Sequence, residues 1–437
     1  MRNFSALIFL ATLLGFSFSA STSHAQDAEE LLKRHAVEFQ NSSDVIELLS
    51  HIDRERLVLL GEASHGTSQF YTKRAALSQS LIKEKNFRFV AVEADWSSMS
   101  KINEFVQHKP YGPQTLSEAM KAIERWPLWM WRNMEFKNFV EWLRDYNENL
   151  APNERVGLYG VDVYDNRSVM DDVLSWINSH NVNQGRVAEQ AYSCKTRHPN
   201  TSSYIQMVAR TGQDCSDDLN EVLRIVRQIE QSHDTDPWKF FKAEQGAKVA
   251  INAEKHYRAN LQQSAASWNY RANHFYLTAE RLLEYHQTDS RGIVWAHNTH
   301  IGDARATDMH RAGMVNIGQL SRQELGTDNV FAIGFGTYEG EVLAAFNWEG
   351  DRQKMVTPPA QTGSWEFMLN EIGLNNLYLV FNDESMNNAL SNPIPHRAIG
   401  VTYNPQNEQN NYVQTVLPER YDAFIFIRNT DSLNPLD

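Results

Sequence analysis

Cysteine, long apolar runs and clustered positive charge are all scarce in this chain of 437 residues, and each absence excludes a class of protein. Beyond the N-terminal segment, no stretch approaches the roughly 20 apolar residues that a membrane-spanning helix requires. The formal net charge is −13 and no stripe is rich in Lys and Arg, which argues against a nucleic-acid partner. The composition therefore predicts a globular protein whose partner is neither nucleic acid nor a membrane, and it sets no oligomeric state.

Several catalytic motifs are also missing. The sequence has no Gly-x-Ser-x-Gly elbow, no His-Glu-x-x-His zinc motif and no phosphate-binding Gly-x-x-x-x-Gly-Lys loop. The first absence disfavours an ordinary serine esterase of the α/β-hydrolase kind. Any hydrolytic chemistry has to come from a different set of side chains.

The N-terminal segment is typical of an export signal. Arg2 supplies a positive start, Ala6 to Phe18 form a short apolar core, and Ser23-His24-Ala25 offers small residues before a cleavage point. We predict a removed signal peptide at residues 1–25, a mature chain that begins near Gln26, and a periplasmic or secreted location.

The two cysteines are Cys194 and Cys215. In an oxidising compartment an even pair favours a disulfide. Such a bond would stabilise the fold by about 3 kcal/mol in the chain-entropy model. Two unpaired thiols are the alternative, which alkylation without reductant followed by mass measurement would reveal.

Apolar runs of strand length recur along the chain, with longer segments of helical spacing between them. This pattern predicts an α/β fold with a mostly parallel central sheet flanked by helices. The clearest runs are Leu57 to Leu60, Phe89 to Val92, Val156 to Val161, Ile293 to Ala296, Val330 to Phe335, Leu377 to Phe381, Ile399 to Thr402 and Ala423 to Ile427. Residues 166–286 are predicted to form a helical insertion or cap, and residues 26–437 a single domain, because no linker or repeat divides them.

Ionisable side chains follow four of these runs, namely Glu62, Glu93, Asp162 and His297. Ligands of open α/β sheets bind beyond the carboxyl ends of the strands, so we expect the four groups to face one cleft. Taken singly, each could instead be a helix-capping or surface residue.

Two of the loops carry histidines. In the segment of residues 61–67, Glu62 precedes His65 by three residues, which suits a carboxylate that fixes the tautomer of an imidazole and raises its basicity toward water. In the later segment, His297 and His300 would face the same point if the chain turns helically after the strand. Each histidine alone could equally be a buried structural residue.

Six blocks, by their order and spacing, resemble the erythromycin esterase family, which includes proteins labelled as succinoglycan-biosynthesis-like. The blocks are Leu60–Thr67, Val92–Trp96, Trp129–Asn133, Ser267–Arg271, Trp295–Asp303 and Arg397–Val401. The resemblance extends along nearly the whole mature chain. It implies a hydrolase that opens a cyclic ester, a small-molecule lactone of the macrolide type, with neither a cofactor nor a metal.

By motif position the resemblance implies six catalytic residues: Glu62, His65, Arg74, Glu93, His297 and His300. His65 would act as the general base on water, held in its tautomer by Glu62 or Glu93. The other three would bind the ester carbonyl and stabilise the charge that develops on its oxygen.

The candidates for substrate binding are Trp129, Trp131, Asp162, Tyr164, Trp268, Arg271 and His274. The segment of residues 126–131 is aromatic enough to line a cleft for a large lactone, although such clusters more often belong to the core. Asp162 and Tyr164 could contact substrate or cap a helix. Arg125 and Arg132 flank the aromatic segment and are expected to be solvated or paired.

Two other interpretations stay open. His65, His297, His300 and a carboxylate would suffice for a zinc site with one open position, and chelation followed by elemental analysis would identify such a metal-dependent hydrolase. Alternatively, a periplasmic binding or polysaccharide-assembly protein would keep the cleft without turnover. Incubation with macrolides and simple lactones, followed by a search for the mass gain of one water, separates that protein from an enzyme.

Overall fold

The computed structural model describes residues 28–164, 166–232, 235–262, 264–287 and 289–436. The predicted export signal at residues 1–25 lies outside these ranges, so the signal and the location that follows from it stay predictions. Within the described ranges, no helix combines the length and apolar character needed to cross a membrane.

The described residues form eleven strands, nine of which belong to one sheet. The strands are β1 (Val37–Glu38), β2 (Leu57–Leu60), β3 (Phe89–Asp95), β4 (Gly157–Asp162), β5 (Gly292–Trp295), β6 (Val330–Ala345), β7 (Arg352–Thr357), β8 (Asn376–Val380), β9 (Ile394–Arg397), β10 (Tyr412–Thr415) and β11 (Ala423–Thr430). The order across the sheet is β1-β8-β11-β6-β2-β5-β3-β4, with β7 paired to the far part of β6. Strands β11 to β4 in this order are mutually parallel, whereas β1, β7 and β8 pair in antiparallel fashion.

Helices flank this sheet and fill the long interval between β4 and β5. They are α1 (28–35), α2 (Ser42–Val45), α3 (Ser68–Lys85), α4 (Trp96–Val106), α5 (Leu116–Lys121), α6 (Met134–Glu148), α7 (Asn166–His180), α8 (Val182–Thr196), α9 (Thr201–Thr211), α10 (Ser216–Ser232), α11 (Pro237–Ala259), α12 (Ala266–Tyr285), α13 (Asn298–Ile301), α14 (Asp308–Arg311), α15 (Ile317–Leu325), α16 (Trp365–Glu371), α17 (Glu384–Ala389) and α18 (Leu417–Arg420). The predicted fold class, a mostly parallel sheet flanked by helices, is confirmed. Helices α7 to α12 occupy the segment predicted to be a helical insertion.

The central strands are apolar along their whole length because both faces of the sheet are covered. In β2, Leu57 and Leu59 pack into a core that includes residues of α7, α10 and α11, whereas Val58 and Leu60 pack into a core built with α3, α4 and α6. All four side chains are fully buried. Burial of each side chain stabilises the fold by about 1.5 to 3 kcal/mol. A strand covered on both faces is apolar at every position, so a run of four apolar residues was enough to predict β2.

Departures from the predicted elements lie at the edges of the sheet. The predicted strand at Ile399 to Thr402 is wrong, because this segment makes only isolated bridges, from Ile399 to Ser64 and from Thr402 to Ala345. The side chain of Ile399 is buried against Val342 and Ala344 of β6 and Met355 of β7, although the segment is not a strand of the sheet. Strands β7, β9 and β10 were missed because they are edge or two-stranded pairings with mixed exposure.

The predicted disulfide is confirmed between Cys194, near the end of α8, and Cys215, immediately before α10. Both cysteines belong to the helical segment between β4 and β5. The bond therefore cross-links that segment internally and does not join it to the sheet.

Candidate active site

A cavity of about 400 Å³ lies beyond the carboxyl ends of the adjacent strands β2, β5, β3 and β4. Nine of the thirteen predicted site residues line it: His65, Glu93, Trp131, Asp162, Tyr164, Trp268, Arg271, His297 and His300. The remaining four are Glu62, Arg74, Trp129 and His274, which are buried outside the cavity wall. Of the four ionisable groups expected to face one cleft, Glu93, Asp162 and His297 line the cavity, whereas Glu62 does not and instead contacts His65.

Glycines allow the loop after β2 to pack closely against its neighbours. A Cβ atom at Gly66 would overlap the backbone of Leu343 in β6, and the Gly66 carbonyl accepts a hydrogen bond of 3.0 Å from the Leu343 N–H. A Cβ atom at Gly61 would overlap the side chain of Asn298 in the loop after β5. Gly66 therefore lets the loop after β2 pack against β6, and Gly61 lets it approach the loop after β5.

His65 is anchored from below by a carboxylate. Its Nδ1 lies 2.8 Å from Oε1 of Glu62, and a carboxylate can only accept, so Nδ1 carries the proton and Nε2 keeps its lone pair. Burial lowers the pKa of the His65 imidazole, but the Glu62 hydrogen bond and the charge of Glu93 outweigh burial and leave that pKa above its ordinary value of 6.5. His65 is thus arranged as a general base whose other nitrogen is available to the cavity.

Arg74 on α3 supports this pair from deeper in the protein. Its Nη2 donates to Oε2 of Glu62 over 2.6 Å, and its guanidinium lies over the rings of Tyr71 and Trp295 at 4.4 and 5.0 Å. The side chain is fully buried and does not line the cavity. This placement contradicts the predicted contact between Arg74 and an ester carbonyl. The guanidinium instead balances the charge of Glu62.

His297 follows β5 and stands beside His65, with their ring centroids 4.8 Å apart. The His297 Nδ1 accepts a hydrogen bond of 3.2 Å from the Thr299 N–H, so the proton of the neutral ring lies on Nε2. Burial and the neighbouring His65 place the pKa of His297 well below 6.5. Its Nε2 is buried, and the Ala63 backbone carbonyl beside the ring opposes part of this lowering of the pKa. His297 therefore presents a neutral N–H donor next to the proposed base.

His300 occupies a different environment one helical turn later. Its Nε2 lies 3.0 Å from Nη1 of Arg271 and 3.3 Å from Oε1 of Glu93, and its ring stacks on Trp268 with centroids 4.5 Å apart. A guanidinium can only donate, so the His300 Nε2 accepts. Burial lowers the pKa of His300 despite the charge of Glu93. The imidazole is therefore a neutral member of a hydrogen-bonded wall.

Arg271 on α12 forms the centre of that wall. It donates to both oxygens of Asp162, over 2.9 and 2.7 Å, and to Oε1 of Glu93 over 2.8 Å. Burial raises the pKa of the Glu93 carboxyl, but His300, His65 and Arg271 outweigh it and hold that pKa well below its usual range. The other Glu93 oxygen accepts the His297 backbone N–H over 2.8 Å. Of the two predicted partners of His65, the structure therefore places Glu62, not Glu93, on its ring.

The same contacts bear on the metal-dependent alternative. Among the described residues, no group of three or more His, Cys, Asp or Glu side chains is arranged to hold a metal ion. Glu62 holds the Nδ1 of His65, and the Arg271 guanidinium lies between Glu93 and His300, where its charge would repel a cation. These side chains therefore do not fit a metal site.

Two predicted substrate contacts are not at the cavity. Trp129 belongs to the core with α3 and α6. His274 lies behind Arg271 on α12, where its Nδ1 is 3.0 Å from the Asn252 amide and burial lowers its pKa to about 4. Trp131, in contrast, does line the cavity and donates its indole N–H to the Glu93 carbonyl over 3.0 Å. One aromatic segment thus contributes to both the core and the cavity wall.

Some lining residues were not predicted as site residues. Arg125 was expected to be solvated or paired, and it is paired: its Nε donates to Asp95 over 2.7 Å, and its guanidinium lies 5.0 Å from the Tyr164 ring. Trp348, in the turn between β6 and β7, is half-exposed at the rim and packs 4.7 Å from Trp126. Residues 398, 400–402 and 410–413 complete the wall. The sequence does not indicate that Trp348 lines the cavity, because this residue lies far along the chain from the other site residues.

Comparisons with known proteins agree with the fold described above. A succinoglycan biosynthesis protein of known structure is 19% identical, with a TM-score of 0.78 over 94% of this chain and 99% of that chain. A Bacillus cereus protein is 17% identical, with a TM-score of 0.79 over the same shares of the two chains. A mutant of the erythromycin esterase EreC in its open conformation is 15% identical, with a TM-score of 0.63 over 90% of this chain and 95% of that chain. At these identities the likeness shows a shared fold.

The sequence comparison is more specific. Residues 82–430 match the family described as Erythromycin esterase, and this range spans most of the chain. The resemblance to this family is thereby confirmed: five of the six sequence blocks lie within the matched range, whereas the block Leu60–Thr67 precedes it. The chain belongs to the erythromycin esterase family, and this membership indicates an esterase-like hydrolase.

Proposed function

We propose that this protein hydrolyses a cyclic ester, a lactone of the macrolide type, with a water molecule activated by His65. The observation that carries the proposal is the hydrogen bond between His65 Nδ1 and the buried Glu62, which leaves Nε2 as the basic atom at the cavity. No cofactor is required for this chemistry.

In the proposed reaction, the His65 Nε2 takes a proton from water while the water oxygen attacks the carbonyl carbon. The carbonyl π electrons move to oxygen and form a tetrahedral oxyanion. When this intermediate collapses, the bond from carbon to the ring oxygen breaks, and the imidazolium returns its proton to the departing alkoxide. One water is consumed and one hydroxy acid is produced, with His65 restored to its neutral form.

The charges around His65 suit each stage of this cycle. Glu62 and Glu93 favour the imidazolium that forms on proton transfer. The neutral His297, which lines the cavity beside His65, would donate its N–H to the oxyanion, whereas the His300 Nε2 already accepts from Arg271. A positioned base contributes roughly 10² to 10⁴ in rate and one oxyanion donor roughly 10² to 10³. Together they lower the barrier by about 5 to 10 kcal/mol.

The shape of the cavity supports a large and mainly apolar substrate. A volume of about 400 Å³ falls in the usual range for small-molecule sites, and Met99, Ile123, Met130 and Trp131 contribute apolar wall. The charged groups lie together at the strand ends. An ester could therefore be gripped by its hydrocarbon part while its carbonyl is presented to His65 and His297.

A panel of macrolides and simple lactones tests the proposal. We expect the mature protein to add the mass of one water to at least one member of the panel, and His65→Ala to remove that gain. Absence of the mass gain on every compound would overturn the proposal and favour the binding or polysaccharide-assembly alternative. Tight binding of a lactone without mass gain would have the same meaning.

A further inference from the structure

A second, smaller cavity of about 190 Å³ lies beside the catalytic one, and Arg125 and Tyr164 line both. Its other walls come from α7, the end of α8 and the start of α9. None of the described residues that line it is Asp or Glu, whereas it contains three cationic side chains and a histidine: Arg125, Arg167, Lys195 and His198. The cavity is therefore strongly biased toward positive charge.

Lys195 is the least compensated of these cations. Only 5% of the residue is exposed, and its Nζ is buried without a hydrogen-bond partner among the described residues. Its ammonium lies over the rings of Tyr204 and Tyr257 at 5.6 and 5.5 Å. Burial lowers the pKa of Lys195 to about 8, against the opposing charge of Glu254. A buried ammonium with three unused donors is costly unless an acceptor is present.

The carboxylate whose charge acts on Lys195 is already committed to other groups. Glu254 on α11 accepts the Tyr204 hydroxyl over 2.8 Å and two donors of Arg258 over 2.8 and 3.1 Å. The Nε2 of His198, three residues after Lys195, is also buried without a partner among the described residues. Two unpaired nitrogens thus occur on the same wall of one small cavity.

The disulfide fixes the position of this wall. Cys194 directly precedes Lys195, and the backbone N–H of its partner Cys215 donates to the Tyr204 hydroxyl over 3.1 Å. The bond therefore ties the end of α8 to the ring over which the ammonium lies. A binding group held in this way is preorganised, and this reduces the entropy lost when a ligand binds.

We propose that this second cavity is a subsite for an oxyanion group, a carboxylate or phosphate-type anion, which Lys195 binds with the help of Arg167 and His198. The anion could be free or could be carried by the ester substrate, since Arg125 and Tyr164 form a wall shared with the catalytic cavity. Charge-assisted hydrogen bonds from ammonium and guanidinium groups are the interactions such an anion requires.

Calorimetric titration of the mature protein with sodium phosphate, sulfate and acetate tests the free anion. We expect binding of at least one probe, and a loss of about tenfold or more in affinity for Lys195→Met, because one hydrogen bond to a charged group is removed. Lys195→Arg keeps the charge and should retain most of the affinity. Arg210→Met, on an exposed position of α9, removes one positive charge away from the cavity and should leave affinity unchanged.

The second arm of the test is kinetic and concerns an anion that is carried by the substrate. Two esters that differ only in a terminal carboxylate are compared as substrates, and we expect Lys195→Met to raise the KM of the anionic ester about tenfold or more, with the neutral ester unaffected. An effect in either arm supports the subsite and identifies the source of the anion. The proposal would be overturned if Lys195→Met neither weakened the binding of any of the three probes nor selectively raised the KM of the anionic ester.

Folding and turnover are controlled separately. The melting temperature of Lys195→Met should equal or exceed that of wild type, because a buried, unpaired charge is removed. Direct anion binding does not depend on catalysis. A protein that hydrolyses the neutral ester but binds no anion in either arm would refute the subsite alone, whereas one that binds anions but hydrolyses no ester would refute the proposed function alone.

Discussion

The loop after β2 and the loop after β5 each bring a histidine to the same cavity, yet they give the two imidazoles opposite electrostatic settings. The rings of His65 and His297 are 4.8 Å apart, and both residues are buried. The pKa of His65 is raised from 6.5 and that of His297 is lowered well below it. Burial alone cannot account for this difference, since it acts on both rings in the same direction.

The difference comes from what each ring nitrogen contacts. Glu62 accepts directly from the His65 ring and is itself balanced by Arg74. Glu93, the carboxylate near His297, accepts the backbone N–H of that residue and not its ring. A buried histidine thus becomes a base or a neutral donor according to whether a carboxylate contacts its imidazole. Four changes test this division between the loops, in order of decreasing effect.

His65→Ala should have the largest effect of the four changes on activity. Loss of the base should lower kcat/KM on the lactone found in the panel by about 10³- to 10⁴-fold. The fold should remain, as judged by circular dichroism and thermal unfolding, because a loop imidazole contributes little to the core. His310→Ala, at an exposed position of α14, is the control and should be fully active. Turnover by His65→Ala at the wild-type rate would eliminate the proposed base.

Glu62→Gln should make the electrostatic setting of His65, in the loop after β2, resemble that of His297, in the loop after β5. Wild-type activity requires neutral His65, and its raised pKa means that activity is lost as the pH falls through a value above 6.5. Removing the carboxylate lowers this pKa, so the acid limb of the rate profile should move to lower pH. We also expect kcat to fall by about 10² to 10³, because the tautomer is no longer fixed.

Glu62→Gln also tests how the pairing of Glu62 with Arg74 stabilises the loop after β2. Glu62→Gln leaves the Arg74 guanidinium buried without its counterion, which should reduce the free energy of unfolding by about 3 to 5 kcal/mol in denaturant titration. The double variant Glu62→Gln/Arg74→Met should recover much of that stability while keeping the shifted acid limb. An acid limb that stays at the wild-type pH in both variants would show that Glu62 does not set the basicity of His65.

His297→Ala should have a smaller and different effect. It removes an oxyanion donor but no charge, so kcat should fall by about 10²-fold with the acid limb unchanged. His297→Gln, which can offer an amide N–H, should retain more activity than the alanine variant. A shift of the acid limb in His297→Ala, with little change in the pH-independent kcat, would instead assign the titrating group to the loop after β5.

Exhaustive chelation should change nothing. The donors of the two loops are engaged with Glu62 and Arg271, so removal of divalent metals should leave kcat and the rate profile intact. Elemental analysis of the chelated protein provides the control. Loss of activity that zinc restores would contradict the histidine-activated mechanism and support the metal-dependent alternative.

Much of the fold and part of the site were predictable from sequence because they depend on local pattern. The run Leu57 to Leu60 is buried on both faces of the sheet and was therefore readable, whereas β7 and the pair β9–β10 have mixed exposure and were missed. The apolar run at Ile399 to Thr402 misled, since Ile399 is buried against residues of β6 and β7 while the segment makes only isolated bridges. An apolar run indicates that its residues are buried, but it does not show which part of the protein buries them.

The sequence by itself determined the chemical groups at the ends of the parallel strands and, through the two loop motifs, the histidines and carboxylates of the site. Only the tertiary structure decided which carboxylate contacts which ring, that Arg74 lies beneath Glu62, and that Trp129 and His274 are outside the cavity. It also decided that the ammonium of Lys195 has no hydrogen-bond partner within the part of the chain that the structure describes, in a second cavity. The physical reason is that hydrogen bonds, desolvation and charge pairing depend on distances of a few ångströms between residues far apart in sequence. Spacing along the chain does not encode those distances.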